Sequence, residues 1–584
     1  MFRGLLFFIR QGWRYDKRYI LWLILDQLFS ALLPVVATLM PKLILDELLG
    51  EARPAHLGAS VAALAGYTLI STALCHYFRM DGFTRRCCVA AEFDHDLHRR
   101  LAEADFAHLE DPAFLDMQEK AKKFLYCDWH GFGYLLDCAV GIAGRCVTLA
   151  GMTAIMATLN GWIVLLFTVL ALVSALAEGR ARRRAMALSL GVSADQRGVQ
   201  YYSTLFEDFG YGKELRLGGM SEWMLARERG YVTRVNDNLA AQNGHFIRAG
   251  AVGAACTFVQ QCAAYAYLVA QVIGRGMSVA DFTMYLGAVT AFAAALRGVM
   301  QAVGEIRAYD LYYAHLDRYL AVPATLRGGT QVPPAGAHTI EFRDVGFRYP
   351  GSAVWALRHL NLTLRPGEKL AVVGENGAGK TTLVKLLTRL YAPTEGAILI
   401  DGIDAREIDC ACYASLFATV LQDYCLFAFS LGENVALAQP YDAARIERVL
   451  RQVGLGGKLD SLPRGIDTPV YRRFDEDGFE PSGGEGQKIA LARALYRDAS
   501  IVILDEPTAA LDPRAEAELY RRFDELVGGK TAVYISHRLS SARFCDKIAV
   551  LDRGELVEYG GHEALMEAGG KYAELFAMQA QYYT

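Results

Sequence analysis

Six apolar stretches ahead of residue 320 constrain this chain more than any other feature. They run over residues 20–40, 57–77, 134–159, 162–176, 249–273 and 282–303, and most approach or exceed the ~20 residues a helix needs to cross a bilayer. The stretch at 162–176 is short and several others carry an internal charge, so any one alone reads equally as a buried helix of a soluble protein. Six in succession do not. The composition agrees, with 53% hydrophobic residues alongside 21% charged ones over 584 residues. That mixture implies a membrane-embedded half joined to a water-soluble half.

The connecting segments give an orientation. Those after stretches two and four are long and hold Arg85, Arg86, Arg99, Arg100, Lys122 and Lys123, then Arg182, Arg183 and Arg184. Those after stretches one, three and five are short and hold few basic residues. The bias predicts long cytoplasmic loops and cytoplasmic termini. The opening "MFRGLLFFIRQGWRYDKRY" reads as an amphipathic helix lying in the membrane interface, since it lacks a small-residue cleavage site. A net charge of -4 gives no support to a nucleic-acid partner. The 12 cysteines form no zinc-type CxxC pairs and read as reduced cytosolic or membrane-buried thiols.

Residues 1–320 are thus expected to be an all-α transmembrane domain. Residues 321–338, which include "VPATLRGGTQVPPAGAH", are rich in Pro, Gly and small residues and read as a linker. From 339 to 584 the pattern changes to short β-branched strands broken at glycine and followed by helical stretches, as in an α/β domain with a mostly parallel core.

Two motifs in that second domain carry chemistry. "GENGAGKTT" follows the apolar strand "KLAVV" and precedes the helical "LVKLLTRL", the context a phosphate-binding P-loop requires. Gly374, Asn376, Gly377, Gly379, Lys380, Thr381 and Thr382 form this candidate ATP site. Its glycines let backbone N–H groups curl around phosphates, Lys380 reaches the β and γ phosphates, and the Thr381 hydroxyl ligates Mg²⁺. "IVILDEPTAALD" ends a buried strand with two carboxylates, which suits Asp505 to the magnesium shell and Glu506 to polarising the attacking water.

With these motifs in order, the chain resembles an ATP-binding cassette transporter of the exporter-fold half-transporter type over nearly its whole length. The resemblance implies further roles. Tyr349 in "FRYPG" matches the aromatic that stacks on adenine. Gln422 in "VLQDYCLF" matches the residue linking magnesium, water and the membrane domain. Asp512 in "AALDP" matches the loop communicating across the dimer, and His537 in "YISHRL" matches the γ-phosphate switch histidine.

"PSGGE" resembles the family's signature Leu-Ser-Gly-Gly-Gln, with Pro481 for the leucine and Glu485 for the glutamine. Ser482, Gly483 and Gly484 remain, and the resemblance implies that they cap ATP held by a second half-transporter. A homodimer is favoured because one complete set of motifs is present, although a heterodimer stays open. A carboxylate aimed at phosphate would repel it. The spacing S-x-x-E instead predicts a capping box, with Glu485 turned back on the Ser482 amide.

The expected function is ATP-driven transport of a small molecule, peptide or lipid. Export leads, with uptake or an ATP-gated channel or regulator as alternatives. A soluble cassette ATPase shares the motifs, but six spans argue against it. "HLEDPAFLDMQEKA" and "LFEDFGYGKELRLGG" resemble regions around the coupling helices of exporters. Asp26, Asp137, Arg145, Arg248, Arg297 and Glu305 stand within or beside the apolar stretches as candidate cavity or gate residues. Asp137 and Arg145, about 80° apart around a helix, are expected to share a face.

Overall fold

The structure, a computed structural model, describes residues 2–126, 132–158, 161–505, 528–536 and 539–581. The chain forms two compact units. One comprises Met1–Ala104 and Pro112–Val322, the other Asp105–Asp111 and Pro323–Thr584.

The first unit is helical. Its elements are α1 (Phe2–Tyr15), α2 (Lys17–Leu49) and α3 (Pro54–Glu103), then, beyond the four-residue α4 (Phe106–Leu109) of the second unit, α5 (Pro112–Tyr126), α6 (Phe132–Ala157), α7 (Gly161–Gly191), α8 (Ser193–Glu207), α9 (Gly212–Leu217), α10 (Ser221–Arg275) and α11 (Val279–Leu320). Six of these, α2, α3, α6, α7, α10 and α11, are long and apolar enough to cross a membrane. Much of what the charge pattern marks as long loops is helix that continues the spans: α3 runs for 50 residues and α10 for 55. The reason is local. The polar continuations are rich in Ala, Leu, Arg and Glu, which favour helix, and hold no proline to stop them.

Caps set the entries. The Asp16 carboxylate accepts from the amides of Arg18 and Tyr19 at the start of α2, and the Ser278 hydroxyl accepts from the Asp281 amide at the start of α11. The amphipathic α1 buries Phe8 against Phe93 of α3 and Leu136 of α6, while Leu6 and Trp13 stay exposed. One apolar face packed and one free suits a helix lying along a lipid surface.

The second unit is α/β. A four-stranded antiparallel sheet has the order β2-β1-β4-β5, built from β1 (Ile340–Phe347), β2 (Leu357–Leu364), β4 (Glu395–Ile400) and β5 (Ile403–Asp404). A six-stranded sheet has the order β10-β9-β3-β8-β7-β6, from β3 (Lys369–Val373), β6 (Phe417–Val420), β7 (Ile501–Asp505), β8 (Thr531–Ile535), β9 (Lys547–Asp552) and β10 (Glu555–Gly560). Its strands β9, β3, β8, β7 and β6 are parallel, and only β10 runs against its neighbour. Parallel strands need both faces covered. One face shares its core with α12 (Lys380–Leu387) through Leu383, Val384 and Leu387. The other shares its core with α14 (Leu431–Ala436), α15 (Ala443–Gln452), α16 (Gly456–Ser461) and α17 (Gly483–Arg497), and between β5 and β6 lies the short α13 (Cys410–Ser415).

Candidate functional site

Sheet register gathers the chemistry at one edge. Val372 of β3 is level with Ile535 of β8, Ile535 with Asp505 of β7, and Leu504 with Val420 of β6. The carboxyl ends of these strands therefore present the P-loop, Asp505 and the segment leading to Gln422 together. With one strand between them, β3 and β7 stand ~10 Å apart. Open parallel sheets bind their ligands beyond this edge.

Backbone shape makes the P-loop. Gly374 has φ +154°, and a Cβ there would lie 2.2 Å from the Leu551 carbonyl oxygen. Gly379 has φ +104°, and its Cβ would meet Leu357 Cδ2 at 2.7 Å and the Ala356 oxygen at 2.8 Å. Neither position admits a larger residue. On the outer side Asn376 and Gly377 are exposed, and a Cβ on Gly377 would meet nothing within 4 Å. The cradle is open where α12 starts and points its first N–H groups outward, a geometry that fits a nucleotide's phosphates.

Lys380 is buried, and its Nζ donates to the carbonyl oxygens of Gly374 at 2.9 Å and Glu375 at 3.0 Å. The ammonium is thus folded into the loop itself. Thr381 is exposed beside it, while buried Thr382 shares a 3.0 Å hydrogen bond with the Tyr349 hydroxyl. The Tyr349 ring meets Phe347 and Tyr391 edge-on. Asp505 ends β7 with only 2% of its surface exposed, and Gln422 lies exposed just beyond β6. Glu506, Asp512 and His537 lie outside the described residues.

The signature stretch forms a capping box. The Ser482 hydroxyl accepts from the Glu485 amide at 3.3 Å, and the Glu485 carboxylate accepts from the Ser482 amide at 2.8 Å. That amide bond, with Lys458 beside the other oxygen, holds the Glu485 carboxyl below its ordinary value. The Tyr424 hydroxyl donates to the Gly483 carbonyl, and Arg493 ties α17 to the carbonyls of Asn434 and Cys425. A second box, Ser430 with Glu433, starts α14. Gly483 and Gly484 fall in the first turn of α17, leaving amides directed away from the helix.

The second unit also contains Asp105–Asp111, part of the first region resembling a coupling element. Asp105 accepts from the amides of Thr325 and Leu326. Glu110 pairs with Lys385 at 3.3 Å and accepts from the Tyr391 hydroxyl. Burial, then Glu110, pushes that hydroxyl's pKa up. Phe106 packs edge-on against Tyr391, which itself touches Tyr349. In the first unit, α9 lies in the other region, with Leu215 buried and Leu217 exposed.

Most of the charges expected within the spans bond to neighbouring helices. Asp26 pairs with Arg79 at 3.1 Å, and Asp137 with Arg86 at 3.2 Å, both on α3. Arg145 donates to the Gly298 carbonyl of α11 at 2.7 Å, and Arg297 to the Thr257 hydroxyl of α10 at 3.0 Å. Glu305 holds Arg182 and accepts from the Tyr134 hydroxyl, while Arg182 also bonds Glu178 at 3.0 Å. Arg248 is exposed. Asp137 thus bonds to α3 and Arg145 to α11. Sequence reasoning missed the partners Arg79, Tyr391 and Lys458, which no spacing links to Asp26, Glu110 or Glu485.

Comparison with known proteins settles the family. A family model described as ABC transporter matches residues 357–509. The subtilin transport ATP-binding protein SpaT of Bacillus subtilis is 31% identical over 489 residues, covering 81% of this chain and 77% of SpaT. The chain belongs to the ABC transporter family. An ATP-dependent lipid A-core flippase of Alkalilimnicola ehrlichii is 33% identical over 445 residues, 74% of this ABC transporter and 73% of the flippase. That of Burkholderia orbicola is 40% identical over 259 residues, a match spanning 44% of this chain and 43% of the relative. A solved structure titled as a bacterial Atm1-family ABC exporter with ATP bound superimposes with a TM-score of 0.84 at 22% identity, over 97% of this chain and 98% of that one. The ABC transporter therefore has the exporter fold, with six apolar membrane helices and an ATPase unit.

Proposed function

We propose that this ABC transporter works as one half of a dimer that hydrolyses ATP between two nucleotide-binding units and exports an amphiphilic cargo, a lipid or a peptide, across the cytoplasmic membrane. One observation carries the dimer. The P-loop helix α12 is built on one core of the second unit and the signature helix α17 on the other, on opposite faces of the six-stranded sheet. Each would serve a different nucleotide, so two copies would complete two sites. The cargo class is supported by the names of the relatives, two lipid A-core flippases and a subtilin transporter. The presence of both half-sites in one chain favours a homodimer over a heterodimer.

In this reading Gly374, Asn376, Gly377, Gly379, Lys380, Thr381 and Thr382 hold the phosphates, and Tyr349 stacks on the adenine. Thr381, Gln422 and Asp505 hold Mg²⁺, whose charge offsets that of the phosphates. Glu506 orients the attacking water, with His537 and Asp512 beside the γ-phosphate. Ser482, Gly483 and Gly484 close the site from the second copy. The nucleotide unit and both termini face the cytoplasm, as the Arg- and Lys-rich helical extensions suggest. Segment 105–111 and α9 would transmit closure to the spans. The test is reconstitution in liposomes with a labelled lipid and a labelled peptide as separate cargoes. Outward movement that needs ATP and stops in Glu506→Gln supports the reading. Flux without hydrolysis makes the protein a channel, and inward flux makes it an importer.

A further inference from the structure

Glu485 places a carboxylate in the first turn of a helix whose N-terminal potential, in the proposed function, must attract the triphosphate of the facing subunit. A negative charge there opposes that attraction. The capping box fixes where the charge sits. Its Oε2 takes the Ser482 amide at 2.8 Å, and its Oε1 faces the ammonium of Lys458, 3.4 Å away on α16. The lysine is held too, its Nζ 5.2 Å from the centre of the Phe479 ring, and Phe479 is buried. A second tie joins the same elements, as Lys488 of α17 donates to the Gly454 carbonyl just ahead of α16. Lys458 therefore meets the one signature residue that departs in charge from the family's usual sequence.

We propose that Lys458 is a positioning residue for ATP: it holds the Glu485 carboxylate in the capping box and off the facing phosphates, so that a signature loop bearing a carboxylate still caps the ATP of the facing subunit. The lysine itself need not touch nucleotide. Its role is to hold that charge in place, which gives it a signature that a simple packing role lacks. Removing Lys458 should weaken closure only while Glu485 is charged.

The experiment measures closure rather than turnover. In the full-length chain in lipid, with hydrolysis blocked by Glu506→Gln, spin-label distances between the two nucleotide units report the ATP concentration giving half-maximal closure. Lys458→Met should raise it by about 5- to 10-fold, the effect of one carboxylate freed to approach phosphate. Lys458→Arg should shift it by less than about twofold. Once Glu485 is already Gln, adding Lys458→Met should likewise shift it by less than about twofold. No shift in Lys458→Met, or the same shift with Glu485 and with Gln in its place, overturns the proposal. The inference rests on the proposed dimer, which Ser482→Arg tests separately. If closure survives that variant, the facing-subunit reading falls; if closure is lost while Lys458→Met behaves as wild type, only the role of Lys458 falls.

Discussion

The hydroxyl oxygens of Tyr349 and Thr382 lie 3.0 Å apart, which ties the ring expected over the adenine to the first turn of the P-loop helix. The same ring leans edge-on against Tyr391, whose hydroxyl donates to Glu110. The aromatic proposed to bind the base, the P-loop helix and a segment from between α3 and α5 are thus joined within one unit by three side-chain contacts.

Tyr349→Phe keeps the ring and loses only the bond to Thr382. Tyr349→Ala loses both. Stacking of a base on an aromatic contributes ~1–3 kcal/mol, so the alanine variant should bind a fluorescent ATP analogue about tenfold more weakly and the phenylalanine variant within about threefold of the parent. Equal affinity in all three would remove Tyr349 from the adenine site.

Lys380 and Glu506 should separate binding from hydrolysis. The Lys380 ammonium is bonded to two P-loop carbonyls, and in the proposed function it meets the phosphate oxygens. Lys380→Ala should lower nucleotide affinity itself, whereas Glu506→Gln should bind ATP and slow its hydrolysis by at least ~100-fold. Binding and turnover measured on the same preparations decide this. Near-normal turnover in Glu506→Gln would refute its assignment as the residue that orients water.

The two capping boxes predict a pH effect. In each, the amide of the serine holds the glutamate carboxyl below its ordinary value of 4.5. A depressed carboxyl stabilises the fold above its unfolded value and ceases to do so as pH falls through the folded value. The melting temperature of the protein should therefore drop on going from pH 6 to about pH 3.5, and drop less in Glu433→Gln/Glu485→Gln. An identical pH profile in the double variant would show that neither box contributes.

Arg182 and Glu305 form a largely buried pair between α7 and α11. Breaking such a pair from one side strands a charge and costs about 3–5 kcal/mol, whereas replacing both partners by apolar groups costs far less. Arg182→Met should lower the melting temperature in detergent markedly, and Arg182→Met/Glu305→Leu should recover most of the loss. If the double variant is worse than the single one, the pair is not coupled.

What the sequence disclosed follows from the range of each interaction. The P-loop lies within nine consecutive residues, and the Ser482–Glu485 box closes over a single turn, so spacing sufficed for both. The six spans show because bilayer thickness demands long apolar runs. Lys458 reaches Glu485 across 27 residues, and Arg79 reaches Asp26 across 53, distances at which no periodicity operates. The charge pattern marked the polar continuations of α3, α7 and α10 as loops because it reports where water begins, not where helix ends.

Those continuations have a mechanical meaning. At 1.5 Å per residue, the 55 residues of α10 extend to roughly 80 Å, against about 30 Å of bilayer hydrocarbon, and the 50 of α3 to roughly 75 Å. Each is an unbroken lever with much of its length outside the membrane. A tilt of about 5° about a point in the bilayer moves a tip about 45 Å away by roughly 4 Å, comparable to one helical turn. A small angular change among the spans and a large linear stroke in water are then the same motion, with gearing fixed by helix length.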